Sequence, residues 1–163
     1  YLNMDFKRIL IINPYGIGDV LFTTPVISNL RQAYPQALIA YLANARSADI
    51  LKFNPDIAQV FVYERDEFVG SYRKYLELFN SIKRQKFDVV FDFSLNSSFG
   101  FLSFACGIKK RVGFDYRKRG RFLTDRVPMS GYEEKHVIEY YLDLLRLMQI
   151  PAKTKQLKLA LPS

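Results

Sequence analysis

Apolar residues in this chain fall into short continuous runs separated by stretches with helical spacing. The runs are Lys7–Asn13 (KRILIIN), Leu38–Ala43 (LIAYLA), Ile57–Tyr63 (IAQVFVY) and Phe87–Phe93 (FDVVFDF), with a shorter one at Arg111–Phe114. Runs without polar alternation predict strands buried on both faces, as in a parallel sheet. Between them, Asp19–Tyr34 carries Val20, Leu21, Ile27 and Leu30 on one side. Pro25 predicts that this helix is kinked or divided, with Thr24 as N-cap and the proline at the first helical position; Asp19 could equally cap a short leading turn. A short helix is expected near Ser47–Phe53. Ser71–Gln85 places Tyr72, Tyr75, Leu76, Phe79 and Ile82 at helical spacing, with Arg73, Lys74, Lys83 and Arg84 outward. Phe99–Cys106 reads as a small apolar helix, and Glu133–Gln149 as a long one with Val137, Ile138, Tyr141, Leu144, Leu145 and Met148 on its core face.

Strand–helix alternation of this kind implies parallel pairing through right-handed crossovers: an α/β, Rossmann-like three-layer sandwich with a mainly parallel sheet. The tail, Pro151–Ser163, breaks the rhythm. Its Lys-rich turn and one strand-like run, Leu157–Leu161, read as the start of a linker leaving a domain that spans residues 1–150.

Composition narrows the class. The chain has 163 residues, 49% hydrophobic and 25% charged, and one cysteine, Cys106. These values exclude a disordered chain and a disulfide scaffold and fit a reducing compartment. No run approaches the roughly 18 apolar residues of a membrane span, and Ile9–Ile12 is too short for a leader's apolar core, so a soluble, cytoplasmic domain is expected. The net charge of +8 is concentrated: Lys109–Arg126 holds eight basic residues against Asp115 and Asp125, hence +6. Such a field attracts phosphates on a glycan, a membrane or nucleic acid, or simply solvates a loop. Nucleic acid is disfavoured, because no zinc-finger spacing, helix-turn-helix or aromatic RNA-binding signature accompanies the charge.

The candidate chemistry lies after the first strand. Gly16-Ile17-Gly18-Asp19 occupies the position where α/β sheets bind ligands, at the carboxyl ends of their strands. A dinucleotide fingerprint fails there, since Leu21 stands where the third glycine belongs and Ala43-Asn44-Ala45 supplies no ribose-binding acid. A P-loop fails too, for want of Gly-Lys-Ser/Thr. What remains is a flexible glycine loop presenting Asp19, as a general base towards a hydroxyl or as an N-cap. Asp92 and Asn96, at the end of the fourth strand, could bond sugar hydroxyls or build an Asx turn. His136, the only histidine, argues against histidine dyads and metal clusters and reads as packed or hydrogen-bonded. Cys106 reads as core filling.

The run RILIINPYGIGDVLFTTPVISNLRQAYPQALIAYLA resembles the amino-terminal segment of the ADP-heptose:lipopolysaccharide heptosyltransferases, glycosyltransferase family 9. Three later pieces agree in order: FDVVFDFSLNSSFGFLSFACGIKKRVGFD, KRGRFLTDRVP with its basic turn and following strand, and the helix HVIEYYLDLLRLMQIP. Pro14-Tyr15 stands where the family often has Arg or Ser, and Glu64–Tyr75 is longer and more aromatic. The resemblance implies the acceptor-binding, amino-terminal half of a two-domain GT-B enzyme, inactive alone, that moves heptose from ADP-heptose to the lipopolysaccharide inner core with inversion. It implies Asp19 as base, and no metal or cofactor on this half, the nucleotide-sugar donor being held by the missing domain. Gly16, Gly18, Asn96, Arg65, Arg73, Lys74, Arg117, Lys118, Arg119 and Arg121 are the implied acceptor-binding residues, gripping an anionic glycolipid or the inner-membrane face. The competing expectation is a non-catalytic α/β module that binds an anionic glycan or lipid.

Overall fold

In the computed structural model, which describes residues 4–65 and 70–160, each apolar run becomes a strand of one sheet. The order along the chain is β1 (Arg8–Ile12), α1 (Ile17–Phe22), α2 (Thr24–Ala33), β2 (Leu38–Ala43), α3 (Ala45–Leu51) and β3 (Gln59–Val62). There follow α4 (Tyr72–Arg84), β4 (Val89–Asp92), α5 (Ser97–Ala105), β5 (Lys110–Tyr116), β6 (Asp125–Met129) and α6 (Val137–Leu147). Among the described residues the sheet has six strands in the order β3-β2-β1-β4-β5-β6, and every pairing is parallel. The chain winds outward from β1 in one direction, then returns to β4 and winds outward in the other. Neighbouring β1 and β4 therefore open a crevice at their carboxyl ends, where ligands bind in sheets of this topology.

Side chains alternate across the sheet with period two. Ile9, Ile11, Tyr41, Phe91 and Phe114 face a core closed by α1, α2 and α6 through Val20, Ile27, Leu30, Tyr141 and Leu145. Leu10, Ile12, Leu42 and Val90 face a second core closed by α4 and α5 through Leu78, Ile82, Phe99 and Leu102. The sandwich is thus the three-layer arrangement the alternation predicted. No helix of the described residues is long and apolar enough to cross a membrane.

Several local expectations change. The helix after β1 is divided as Pro25 predicted, but the N-cap of its second part is Thr23 rather than Thr24. Thr23 keeps helical dihedrals, and its hydroxyl turns back to the Val20 carbonyl (2.6 Å) and to Tyr41 Oη (2.7 Å). α3 starts earlier than expected because Asn44 caps it, accepting from the Ser47 N–H at 2.9 Å. In α4 only Leu78 and Ile82 are buried; Tyr72 is 87% exposed, and Tyr75 and Leu76 are also exposed, against the core face read from spacing. The tail shows no strand over residues 157–160, and Leu161–Ser163 lie outside the described residues, as do residues 66–69 of the Glu64–Tyr75 segment. Residues 153–158 instead run along α2: Asn29 Oδ1 accepts from the Lys153 and Thr154 N–H groups, and Thr24 Oγ1 from the Lys158 N–H.

Candidate functional site

The carboxyl end of β1 leads into a loop that is pinned rather than flexible. Asn44 caps α3 with its oxygen and donates its amide N–H groups to the Pro14 and Tyr15 carbonyls (3.1 and 2.7 Å). Ser47 Oγ donates to the Tyr15 carbonyl at 3.0 Å. On the inner side, buried Asn13 accepts from the Tyr15 N–H and donates to the Asp19 carbonyl. Tyr15 then reaches across the crevice and donates its hydroxyl to the Ser94 carbonyl, tying the β1 loop to the β4 loop.

This loop delivers Asp19 to the first turn of α1. Its side chain does not cap the helix: the N-cap is Gly16, which has no side-chain bond to offer. Gly16 and Gly18 are exposed, and a Cβ at either would meet nothing within 4 Å. Bare backbone therefore stands at these two positions beside Asp19, with the exposed Ile17 side chain between them. Half-buried, the carboxylate has one described side-chain partner, Tyr141 of α6, whose hydroxyl donates to Oδ1 at a long 3.5 Å. The structure does not turn Asp19 away beneath the core.

One phenol touches that carboxylate and three more feel its charge. Tyr15, Tyr41, Tyr132 and Tyr141 all ionise above the usual tyrosine range, mainly through burial and further through the negative charge of Asp19. Tyr132 packs edge-on to Tyr140 and Tyr141, and its buried hydroxyl has no hydrogen-bond partner among the described residues. Periodicity marked Tyr141 only as a core residue, and nothing in its neighbourhood along the chain signals a partner 122 residues away.

The β4 end treats its carboxylate differently. Asp92 is 5% exposed, its Oδ1 accepts from the Ser94 N–H at 2.8 Å, and burial pushes its carboxyl up to about 6. Asn96 caps α5, accepting from the Ser98 N–H at 3.0 Å. Both residues build the turn, and with Arg119, Leu95 and Phe114 they also line a narrow cleft.

Of the basic candidates, Arg119 lies at this crevice, where its charge lowers the Tyr15 ionisation against Asp92 and Asp19. Arg117 and Lys118 are exposed on a turn in which both adopt left-handed φ (49° and 58°), and the Arg117 guanidinium sits 5.0 Å from the Tyr116 ring centre. Arg121 lies over Phe122. Arg65 follows β3, which lies two strands from β1 in the sheet order, and Arg73 and Lys74 open α4. Arg73 is paired with Glu77 at 3.2 Å. His136 caps α6 through Nδ1 (3.1 Å) and packs on Phe22. Cys106 is buried, and burial pushes its thiol up to about 11. Among the described residues no three His, Cys, Asp or Glu side chains converge as a metal site would require.

No family model matches the chain. It is 26% identical over 152 residues to lipopolysaccharide heptosyltransferase 3 of Escherichia coli, covering 89% of this chain and 44% of that protein. Its structure superposes on a glycosyltransferase family 9 protein from Veillonella parvula with a TM-score of 0.85 at 21% identity, covering 98% of this chain and 47% of the other. It also superposes on E. coli heptosyltransferase WaaC, solved with ADP-2-deoxy-2-fluoro heptose, with a TM-score of 0.74 at 16% identity, covering 94% and 51%. The chain thus spans about half the length of the proteins it matches.

Proposed function

The chain is related to the heptosyltransferases of glycosyltransferase family 9 over most of its own length, and from that premise we propose that it forms the acceptor-binding half of a GT-B enzyme of lipopolysaccharide core synthesis. Residues 1–150 are the acceptor domain in this reading, and the chain from 151 begins the connection to a donor domain that holds ADP-heptose. The observation that carries the proposal is Asp19: a half-buried carboxylate after a pinned loop at the sheet's switch point, beside two exposed glycines and touched by one phenol.

In the proposed reaction an acceptor hydroxyl enters over Gly16 and Gly18. Asp19 accepts its proton as the oxygen attacks the anomeric carbon of heptose. The bond from that carbon to the diphosphate breaks on the opposite face, so configuration inverts and ADP leaves with the bonding pair. Tyr141 holds Oδ1 of Asp19, leaving the other oxygen for the acceptor. Arg119, with Arg117, Lys118 and Arg121 on the same turn, meets the anionic groups of the glycolipid, and Asn96 offers its amide at the cleft. Arg65, Arg73 and Lys74 extend that contact beyond β3, and the enzyme works at the cytoplasmic face of the inner membrane.

The test is Asp19→Asn in the full-length protein, assayed with ADP-heptose and lipopolysaccharide core acceptor. Transfer should fall at least about a hundredfold while acceptor binding and melting temperature hold. Near-normal turnover would sink the assignment. The exposed cations also suit a non-catalytic glycan binder, and binding of acceptor with no transfer by the full-length wild type would favour that reading.

A further inference from the structure

α5 (SSFGFLSFA) contains no charged residue, and after its two opening serines its one polar side chain, Ser103, is buried, a composition that belongs to a covered helix. Its inner side is covered, with Phe99 and Leu102 packed against the sheet. Its outer side is not: Phe101 is 47% and Phe104 52% exposed. Phe122, from the β5–β6 connection, lies against both, with ring centres 5.3 and 5.8 Å away.

Cations frame the three rings. The Arg111 guanidinium sits 5.1 Å from the Phe104 ring centre, anchored by the Phe122 and Ile108 carbonyls (2.5 and 2.6 Å). Arg121 lies 4.7 Å from the Phe122 centre with its charge in solvent. Lys109, Arg117 and Lys118 are exposed on the connections either side. The acids of the stretch are engaged inside the fold: Asp125 by Lys110 and Thr124, and Asp115 by the Gly120 N–H. The field around the aromatic platform is therefore left positive.

We propose that this aromatic–cationic face docks on an anionic lipid bilayer, with Phe101, Phe104 and Phe122 entering the interfacial zone and the guanidinium and ammonium groups meeting lipid phosphates. Apolar rings and lipid-facing cations are the two contributions that together hold a protein on an anionic surface. A second copy is a poor occupant, because the same positive rim on a chain of net charge +8 repels itself. The geometry also serves the site: α5 begins at Asn96, on the cleft shared by Asp92 and Arg119, so docking through α5 brings the crevice to the bilayer where a lipid-anchored acceptor resides. The inference rests on the membrane part of the proposed function and names the surface that performs it.

The experiment is vesicle sedimentation of the full-length protein, with phosphatidylethanolamine–phosphatidylglycerol vesicles against phosphatidylcholine alone. The wild type should bind the anionic vesicles only, and the binding should weaken with salt. Phe101→Ser/Phe104→Ser should lower the partition about tenfold or more, with an unchanged melting curve and unchanged transfer to a water-soluble, delipidated acceptor. Equal binding by this variant, no binding by the wild type, or a wild-type dimer that the variant dissociates would each overturn the proposal. A loss of transfer in Asp19→Asn with wild-type vesicle binding separates the two readings: the first concerns the base, the second only the bilayer.

Discussion

Two carboxylates stand at the ends of adjacent strands, and the fold treats them oppositely. Asp92 is the last residue of β4, still in register with Ile12 of β1 and Gly113 of β5, so it lies inside the ladder and is buried. Hydrogen bonding from Ser94 does not offset the loss of water, and the Asp92 carboxyl rises to about 6. Asp19 lies beyond the end of β1, past a loop and in the first turn of a helix, where solvent still reaches it and Tyr141 touches it. The length of chain between strand end and carboxylate separates the buried acid from the half-buried one.

The largest effect that sharpens this contrast is kinetic. Asp19→Asn should remove at least about a hundredfold of transfer activity, whereas Asp92→Asn should leave transfer within about threefold. Equal losses in the two variants would break the distinction.

Asp92→Asn should act on stability instead. The folded protein holds the Asp92 proton up to about pH 6, while the unfolded chain releases it near 3.8. The folded state therefore binds more protons across that window, and Asp92 lowers stability progressively as pH rises from about 4 to about 6, by up to roughly 3 kcal/mol above it. In urea titrations Asp92→Asn should match wild type near pH 4 and exceed it near pH 7.5. A variant less stable at both values would mean that the charged form is satisfied in the fold.

Tyr141→Phe removes the phenol from Asp19 while keeping the ring against Phe93 (4.8 Å between centres). We expect kcat to fall about fivefold to tenfold with KM nearly unchanged, because a hydrogen bond to a charged group contributes about 1.5–3 kcal/mol and this one is long. A change confined to melting temperature would reduce Tyr141 to a core residue. The smallest effect should come from Tyr15→Phe, which unties the two strand ends by removing the bond to the Ser94 carbonyl. About 1 kcal/mol of stability should be lost, with faster amide exchange at residues 15–18 than in wild type.

The alternation of apolar runs and helical spacing made the layered sandwich legible before any coordinates, and Pro25 correctly announced a divided helix. Local pattern failed where packing is partial. Tyr72, Tyr75 and Leu76 share the spacing of a core face, yet the second core takes Leu78 and Ile82 of α4, with Phe79 partly buried beside them. It failed also where side chains do two things: Asn44 reads as a missing ribose-binding acid, but in the fold it caps α3 and holds the β1 loop. Asp19 was legible because strand, glycines and acid are contiguous. Its surroundings were not.

By itself, the sequence determined which segments bury apolar surface and hence that strands and helices alternate, because burial period is a property of neighbours along the chain. Tertiary structure alone decided that β1 adjoins β4, that Tyr141 meets Asp19, and that Phe122 lies on α5. Such contacts join residues far apart in the chain. They are set by strand order, register and the directions of whole elements, which no local window of residues encodes.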